Sequence, residues 1–195
     1  MCYSGVCMEL VERLSSDLDG AFMELVAAHQ DLVFGVALRV VRRPAEAEDV
    51  AQETFVRAYR ALSRYPAAHI GALKLRPWLA RIALNQARNA VRARRDEAEL
   101  DEAAESRAVV GNEPVSLAER REERRFWLDL LEGLPPRYGL AVALRHVEGL
   151  SYAELAQALE RPVGSVKSDV HRGVRLLRAA YERTQRQDGQ REAVG

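Results

Sequence analysis

The chain has 195 residues, of which 48% are apolar, and its 29 basic residues are balanced by 29 acidic ones. This composition allows a folded core in one or two small domains, and the net charge of zero does not by itself indicate a polyanionic partner. The N-terminal sequence lacks the basic start and long apolar run of a signal peptide, and no stretch reaches the roughly 20 apolar residues of a membrane span. We therefore expect a cytoplasmic protein without membrane insertion.

The first half of the chain reads as a series of helices. We interpret residues 1–18 as a frayed N-terminal extension whose Cys2 and Cys7 are incidental, with a redox or metal role as the alternative, since no His lies nearby. Apolar residues then recur at three- and four-residue steps, which indicates helices. Helices are predicted from Gly20 to Val41 after a start at Asp19, from Ala45 to Ser63, and from Pro77 to Arg95, with a loop from Tyr65 to Arg76. The expected inward stripes are Ala51, Phe55, Ala58 and Leu62 in the second helix, and Trp78, Ile82, Asn85 or Gln86, Asn89 and Val91 in the third.

The second half begins with an acidic, Ala-rich segment at 96–116, which is typical of a flexible linker. A further amphipathic helix before Gly133 and three more helices follow, at about Arg137 to Val147, Tyr152 to Leu159, and Val163 to Arg183. No strand alternation is found. The predicted fold is all-α, with two small helical domains at 19–95 and 117–184, the acidic linker between them, and a disordered tail at 185–195.

The segment GLSYAELAQALERPVGSVKSDVHRGVRLL has the form of a helix-turn-helix. Ser151 and Glu154 form a predicted capping box at the first helix. In the second helix the predicted buried stripe is Val166, Val170, Val174 and Leu177, which leaves Ser168 and Arg172 pointing outward. The second helix of such a motif enters the major groove. The expected DNA contacts are Ser165, Lys167, Ser168, Asp169, His171, Arg172 and Arg175.

Asp169 is an acid within this basic helix, and the predicted stripe places it on the flank. Three interpretations remain open. It pairs with Arg172, it accepts a hydrogen bond from a cytosine amino group, or it repels phosphate and weakens nonspecific binding.

Charge is distributed unevenly along the chain. No Asp or Glu occurs from Thr54 to Arg95, whereas the same stretch holds ten basic residues. Blocks of one sign mark separate surfaces. A basic, acid-free stretch of this kind suits a groove for single-stranded DNA.

The chain resembles bacterial RNA polymerase sigma factors of the extracytoplasmic-function group over about Asp19 to Arg183. Four segments carry the resemblance, in the family's order and spacing: AEAEDVAQETFVRAYRAL, RPWLARIALNQARNAVRARR, LPPRYGLAVALRHVEGLSYAELAQAL and PVGSVKSDVHRGVRLLR. The resemblance implies that residues 19–95 are sigma region two, which binds core polymerase and the −10 element. It implies that residues 117–184 are sigma region four, which binds the −35 element.

The resemblance also implies partners and site residues. The family docks an acidic helix on the β′ clamp, here through Glu46, Asp49, Gln52 and Glu53, and also contacts the β flap. Capture of the −10 strand is implied for Tyr65, Arg76, Asn85, Arg88, Asn89 and Arg92. An anti-sigma factor is a further expected partner. The Tyr65 to Arg76 loop is longer than usual in the family, and Asp169 stands where relatives usually carry a basic residue, so the promoter preference is expected to differ.

No catalytic constellation is apparent. The four His residues are scattered without metal-ligand spacing, and no phosphate-binding glycine loop occurs, so we expect neither an enzyme nor a cofactor or metal site. Two other functions compete with a sigma factor: a free-standing helix-turn-helix regulator, and a helical decoy that binds polymerase or an anti-sigma factor.

Overall fold

The computed structural model describes residues 4–98, 126–127 and 129–192, and the described residues contain helices and no strand. Residues 126–127 and 129–132 are helical and precede the turn at Gly133. The other helices are α1 Ser4–Ser16, α2 Leu18–Val41, α3 Pro44–Leu62, α4 Ala67–Gly71, α5 Leu75–Ala98, α6 Pro136–His146, α7 Tyr152–Leu159 and α8 Val163–Glu192. The all-α prediction is confirmed. Most of the predicted linker lies outside the described residues.

Helix α2 is the central helix of the first module, which comprises α1 to α5. Its N-cap is Asp17, whose carboxylate accepts a 3.0 Å hydrogen bond from the Gly20 N–H, so the predicted start at Asp19 is two residues late. It ends where Arg42 adopts a left-handed conformation with φ 59°. The helix is long and apolar enough to cross a membrane, contrary to the sequence expectation. In the fold, however, its apolar side is buried against the rest of the module.

Helices α2, α3 and α5 pack on one another around a buried apolar cluster. The inward face of α5 is formed by Leu79, Ala83 and Ala87, which recur every four residues. Asn85 and Asn89 are exposed, so the polar inward stripe predicted for this helix is wrong. In α3 the buried stripe runs through Val50, Thr54, Ala58 and Leu62, and Ala51 and Phe55 are only half-buried.

The N-terminal segment is ordered where the structure describes it. Leu10, Val11 and Leu14 of α1 are buried, and the helix packs on α2 and α4. The prediction of a frayed extension is therefore wrong for 4–16. Cys2 and the Cys7 side chain lie outside the described residues.

The predicted loop from Tyr65 to Arg76 contains the short helix α4, which buries Ile70. Helix α5 also starts earlier than predicted, at Leu75. The connection between α3 and α5 is thus a packed element that fixes the entry of α5.

The second module comprises α6 to α8 and the helical residues before Gly133. The predicted capping box is confirmed: the Ser151 hydroxyl accepts from the Glu154 N–H at 3.2 Å, and the Glu154 carboxylate accepts from the Ser151 N–H at 2.7 Å. Glu160 ends α7 with a left-handed φ of 53°. Helix α8 continues to Glu192, so the disordered tail predicted from residue 185 is wrong as far as that residue.

The two modules pack against each other. One buried apolar cluster includes residues of α2, α3 and α5 together with residues of α6, α7 and α8. Helix α7 has more contact with α5 than with either α6 or α8 of its own module. The second module (α6 to α8) is thus packed on the first (α1 to α5). We call this the closed arrangement, and the sequence does not predict it.

Candidate nucleic-acid interface

A basic cleft of about 740 Å³ lies between the end of α3 and the first half of α5. Four arginines, two aromatic rings and two amides line most of it, namely Arg57, Arg60, Arg64, Arg81, Tyr65, Trp78, Asn85 and Gln86. Guanidinium groups bind phosphate with paired N–H donors, and carboxamides offer a donor and an acceptor to a base edge. The lining therefore has the donors and rings that single-stranded DNA requires.

Helical spacing brings these side chains together. Arg57 and Arg60 lie three residues apart on α3 and share one face, and Arg64 follows in the turn after the helix ends at Leu62. Arg81 and Asn85 lie one turn apart on α5 and face them across the cleft. The Arg57 Nε also donates to Glu53 at 2.7 Å, which fixes one end of the arginine row.

The two aromatic residues differ in burial. Trp78 is only 6% exposed and belongs to the core, as its position among apolar neighbours predicts. Tyr65 is half-buried, with its ring centroid 4.3 Å from that of His69 and 6.4 Å from that of Trp78. Tyr65 is thus positioned by aromatic neighbours while part of its ring borders the cleft.

The other residues predicted to contact the −10 strand separate into two groups. Arg88, Asn89 and Arg92 are exposed and continue the face of Asn85 along α5. Arg76 does not line the cleft. Its guanidinium donates instead to the backbone carbonyl of Glu148 in the second module, so this structure gives no support to Arg76 as a DNA contact.

The outward face of α8 carries most of the residues predicted to read duplex DNA. Lys167, Ser168, His171, Arg172 and Arg175 are exposed and Ser165 is half-buried. Tyrosine rings support two of the cations. The Lys167 Nζ lies 5.6 Å from the Tyr152 ring centroid, and the Arg172 Cζ lies 5.6 Å from that of Tyr138.

Asp169 is turned into the second module and does not face the groove. The residue is 3% exposed. Its carboxylate accepts hydrogen bonds from the Arg137 Nε at 2.9 and 3.0 Å and is also held by Arg161. The prediction that Asp169 pairs with Arg172 is therefore wrong, because its partners are Arg137 and Arg161. The carboxylate is also too buried to reach a base edge. Asp169 therefore lies outside the exposed face of α8 that carries the predicted DNA contacts.

The reason is the packing of α8. Gly173 is buried so closely that a Cβ there would lie 2.4 Å from the Val142 Cγ2 atom. Val174 is 37% exposed, which excludes it from the buried stripe. The inward face thus runs through Val166, Val170 and Gly173, and this rotation brings Asp169 inside.

The acidic residues of α3 are not one free stripe. Glu46 pairs with Arg43 at 2.9 Å and with Arg94 of α5 at 3.0 Å, so its charge is used within the module. Asp49 is exposed, whereas Gln52 lines a groove of about 390 Å³ between α2 and α3. The groove combines Phe34 and Phe55 with acidic and polar residues, here Asp31, Glu48 and Gln30.

Comparison with known proteins identifies the family. The family described as Sigma-70 region 2 matches residues 25–97, and that described as Sigma-70, region 4 matches residues 127–177. RNA polymerase sigma-H factor of Pseudomonas aeruginosa is 34% identical over 183 residues, which cover 89% of this chain and 93% of that protein. The chain belongs to the sigma-70 family.

Other relatives place this sigma factor in the extracytoplasmic-function group. The ECF RNA polymerase sigma-E factor of Escherichia coli is 35% identical over 173 residues, covering 84% of this chain and 87% of that protein. A solved structure of CnrH with the cytosolic domain of CnrY superposes with a TM-score of 0.63 at 26% identity, covering 90% of this chain and 97% of that one. The sigma factor RpoE with the anti-sigma factor NepR of Bartonella quintana has the same fold, with a TM-score of 0.66 at 19% identity, covering 83% and 96%.

The family consists of transcription initiation factors that act with RNA polymerase on promoter DNA. In this sigma factor the basic cleft and α5 belong to region two, whereas α7 and α8 belong to region four. The acid-free stretch is evident in the sequence, but the residues predicted to contact the −10 strand did not include four arginines of the cleft, namely Arg57, Arg60, Arg64 and Arg81. The signal for the first three was their three- and four-residue spacing around the end of α3. Among the described residues no group of three or more His, Cys, Asp and Glu side chains could hold a metal ion.

Proposed function

We propose that this sigma factor holds the −10 strand of an opened promoter in the basic cleft of region two and reads the −35 duplex with the outward face of α8. The observation that carries the proposal is the cleft itself, where arginines, aromatic rings and the exposed Asn85 amide converge. The protein supplies recognition and binding energy, and the polymerase supplies the chemistry.

Within the cleft, the roles follow from side-chain chemistry. Arg57, Arg60 and Arg64 neutralise successive phosphates. Asn85 reads a base edge with its amide, and Tyr65 stacks on an unpaired base. Arg88, Asn89 and Arg92 extend the contact along α5.

On the duplex side, Ser168 and Arg172 occupy the centre of the exposed face of α8. The small Ser168 side chain permits close approach, and Arg172 donates to guanine or phosphate. Ser165, Lys167, His171 and Arg175 surround them and contact the backbone.

Core polymerase binds the groove between α2 and α3 in this proposal, with Glu48 and Gln52 in its lining and Asp49 and Glu53 next to them on α3. Exposed acids beside half-buried aromatic residues suit a basic helical partner, since opposite charges speed the encounter and apolar contacts hold the complex. An anti-sigma factor is a further partner, supported by the named complex of the related RpoE. The family and the site together support a protein that is not an enzyme and that acts in the cytoplasm.

The test separates opening from recruitment. Asn85→Ala is expected to reduce promoter opening by roughly 10-fold, the value of one good base contact, while affinity for core polymerase stays unchanged. Permanganate reactivity of thymines measures opening, and co-migration with core polymerase measures recruitment. Gln157→Ala, which removes an exposed amide from α7, is the matched control. Equal loss of opening and recruitment in Asn85→Ala would reject the assigned role.

A further inference from the structure

Two arginines that are not among the predicted −35 contacts lie beside α8. Arg137 is the second residue of α6, and Arg161 lies in the turn between α7 and α8. Their side chains are 58% and 30% exposed, although both bind the carboxylate of Asp169, a side chain that is only 4% exposed. A buried anion thus holds two partly exposed cations from different segments next to the helix that is proposed to lie on duplex DNA.

The two cations exceed what the buried carboxylate needs. One guanidinium neutralises one carboxylate, so the group of three keeps a surplus positive charge at the surface. Asp169 engages the Nε and Nη2 side of Arg137, at 2.9 and 3.0 Å from Nε and 2.8 Å from Nη2. A guanidinium has five N–H donors, more than one carboxylate can accept from. Donors therefore remain on the exposed side of Arg137 for a second anion.

Arg137 lies on the same flank of α8 as Arg172. At about 100° per residue, Asp169 and Arg172 project from the same side of this helix. The ring of Tyr138 lies between the two arginines, with its centroid 5.9 Å from the Arg137 Cζ and 5.6 Å from the Arg172 Cζ. The start of α6 thus adds its cation to that flank.

The opposite flank of α8 carries Lys167, whose Nζ lies 5.6 Å from the Tyr152 ring centroid. The major groove is about 12 Å wide, close to the diameter of a helix with its side chains, and the phosphates of the two strands form its walls. With Ser168 directed at the base edges, each flank of α8 faces one wall. The flank that carries Arg137 and Arg161 therefore meets one strand, and the Lys167 flank meets the other.

We propose that Arg137 and Arg161 bind phosphates of one strand of the −35 duplex, and that Asp169 is the positioning residue that fixes both guanidinium groups. The proposal rests on the proposed function, because it assumes that the outward face of α8 lies in the major groove. The carboxylate itself does not touch DNA. It holds two long side chains in place before binding, so less side-chain entropy is lost when a phosphate is bound.

The first test measures the affinity of the full-length chain for a short fluorescein-labelled duplex of random sequence, by anisotropy over a series of KCl concentrations. Arg137→Gln and Arg161→Gln should each weaken binding roughly 10-fold at low salt. Each should also reduce the slope of log affinity against log salt by about 1, the value of one phosphate contact. Each variant keeps one arginine on Asp169, and a thermal melt checks that region four remains folded.

Arg186→Gln is the matched control. It makes the same charge change on α8, at a side chain that is 77% exposed and about 27 Å along the helix from Ser168. Its slope should equal that of the native protein. Slopes for Arg137→Gln and Arg161→Gln that equal the slope of this control would overturn the proposed phosphate contacts.

The second test addresses the positioning role with a double-mutant cycle. In an Asp169→Asn background the guanidinium groups are no longer held by charge, and no unpaired anion is left buried when an arginine is removed. The roughly 10-fold loss caused by Arg137→Gln should therefore shrink to about 3-fold or less in this background. An equal loss in both backgrounds would overturn the positioning role of Asp169.

Arg172→Gln separates this proposal from the proposed function. A loss of affinity for Arg172→Gln with none for Arg137→Gln or Arg161→Gln would overturn the present proposal and leave α8 as the −35 reader. Unchanged affinity in all three variants would show that α8 does not lie on duplex DNA, and both proposals would fail.

Discussion

The Asp169 carboxylate joins α8 to Arg137 of α6 and to Arg161, and Asp169→Asn tests the strength of this contact. The substitution keeps the shape of the side chain and removes its charge. The carboxylate side chain is 4% exposed, whereas the side chains of its partners Arg137 and Arg161 are 58% and 30% exposed. Breaking a fully buried pair costs about 3–5 kcal/mol. Because both arginines can be hydrated after the change, we expect a loss of about 2 kcal/mol.

The effect should appear in the unfolding of region four. For a small domain, about 2 kcal/mol lowers the midpoint by roughly 10 °C. Amide hydrogen exchange of α6 to α8, measured by mass spectrometry across a urea series, gives the free energy of opening of this region. Asp49→Asn is the control, since it neutralises an exposed aspartate.

The pH dependence provides a second check. Burial raises the pKa of the Asp169 carboxyl, but hydrogen bonds from Arg137 and Arg161 outweigh this effect and hold the pKa below its ordinary value of 3.8. A lowered folded-state pKa means that the stabilisation is complete above the ordinary value and is lost as the pH falls through the folded-state pKa. The difference between the native protein and Asp169→Asn should therefore be full at pH 7 and disappear in strong acid. Unchanged stability together with an altered preference at one promoter base pair would refute the reasoning and return Asp169 to the DNA interface.

Three further changes test other parts of the fold and site. Gly173→Ala should destabilise region four by about 1–3 kcal/mol in urea unfolding, because the new Cβ would lie 2.4 Å from the Val142 Cγ2 atom, whereas Gly164→Ala, where a Cβ meets nothing, should not. His29→Leu should remove an acid-sensitive contribution to the free energy of unfolding. Burial lowers the pKa of His29 from 6.5 to about 4, so the unfolded chain binds a proton that the folded chain does not and stability falls by about 3 kcal/mol from pH 7 to pH 4. A pH slope equal in both proteins would contradict this. Asp49→Lys should weaken binding to core polymerase by roughly 10-fold in a titration, since an exposed acid next to the groove residue Glu48 becomes a like charge for a basic partner, and unchanged affinity would reject that surface.

Much of the secondary structure was predictable because helical periodicity and caps are local signals. The capping box of Ser151 and Glu154 and the bounds of α7 follow directly from the sequence. Helix α1 was missed because its burial depends on contacts with α2 and α4, which the local sequence does not show.

The face of a helix is harder to predict when the packing involves a glycine. The valines of α8 suggest a stripe through Val174, but contact with α6 at Gly173 rotates the helix and buries Asp169. Isolated sequence also gives no reason to prefer Arg137, which is 32 positions away in the chain, over the neighbouring Arg172 as the partner of that acid.

The sequence predicts that a basic surface exists, but it does not predict which residues line the cleft. The acid-free stretch indicates a basic surface, yet Arg76 leaves it for Glu148 because region four packs on α5. Apolar residues of α5 and α7 that meet between regions look, in the sequence, like ordinary core residues of their own helices. The closed arrangement thus depends on tertiary contacts that periodicity does not encode.

The most direct test of the account is run-off transcription with purified core polymerase and a promoter library. We predict transcripts that start downstream of a shared pair of −35 and −10 elements and that depend on the added protein. Binding to core polymerase without transcripts would indicate a decoy, and promoter binding without core polymerase would indicate a free-standing regulator. Either result would contradict a sigma factor that opens promoters through its basic cleft.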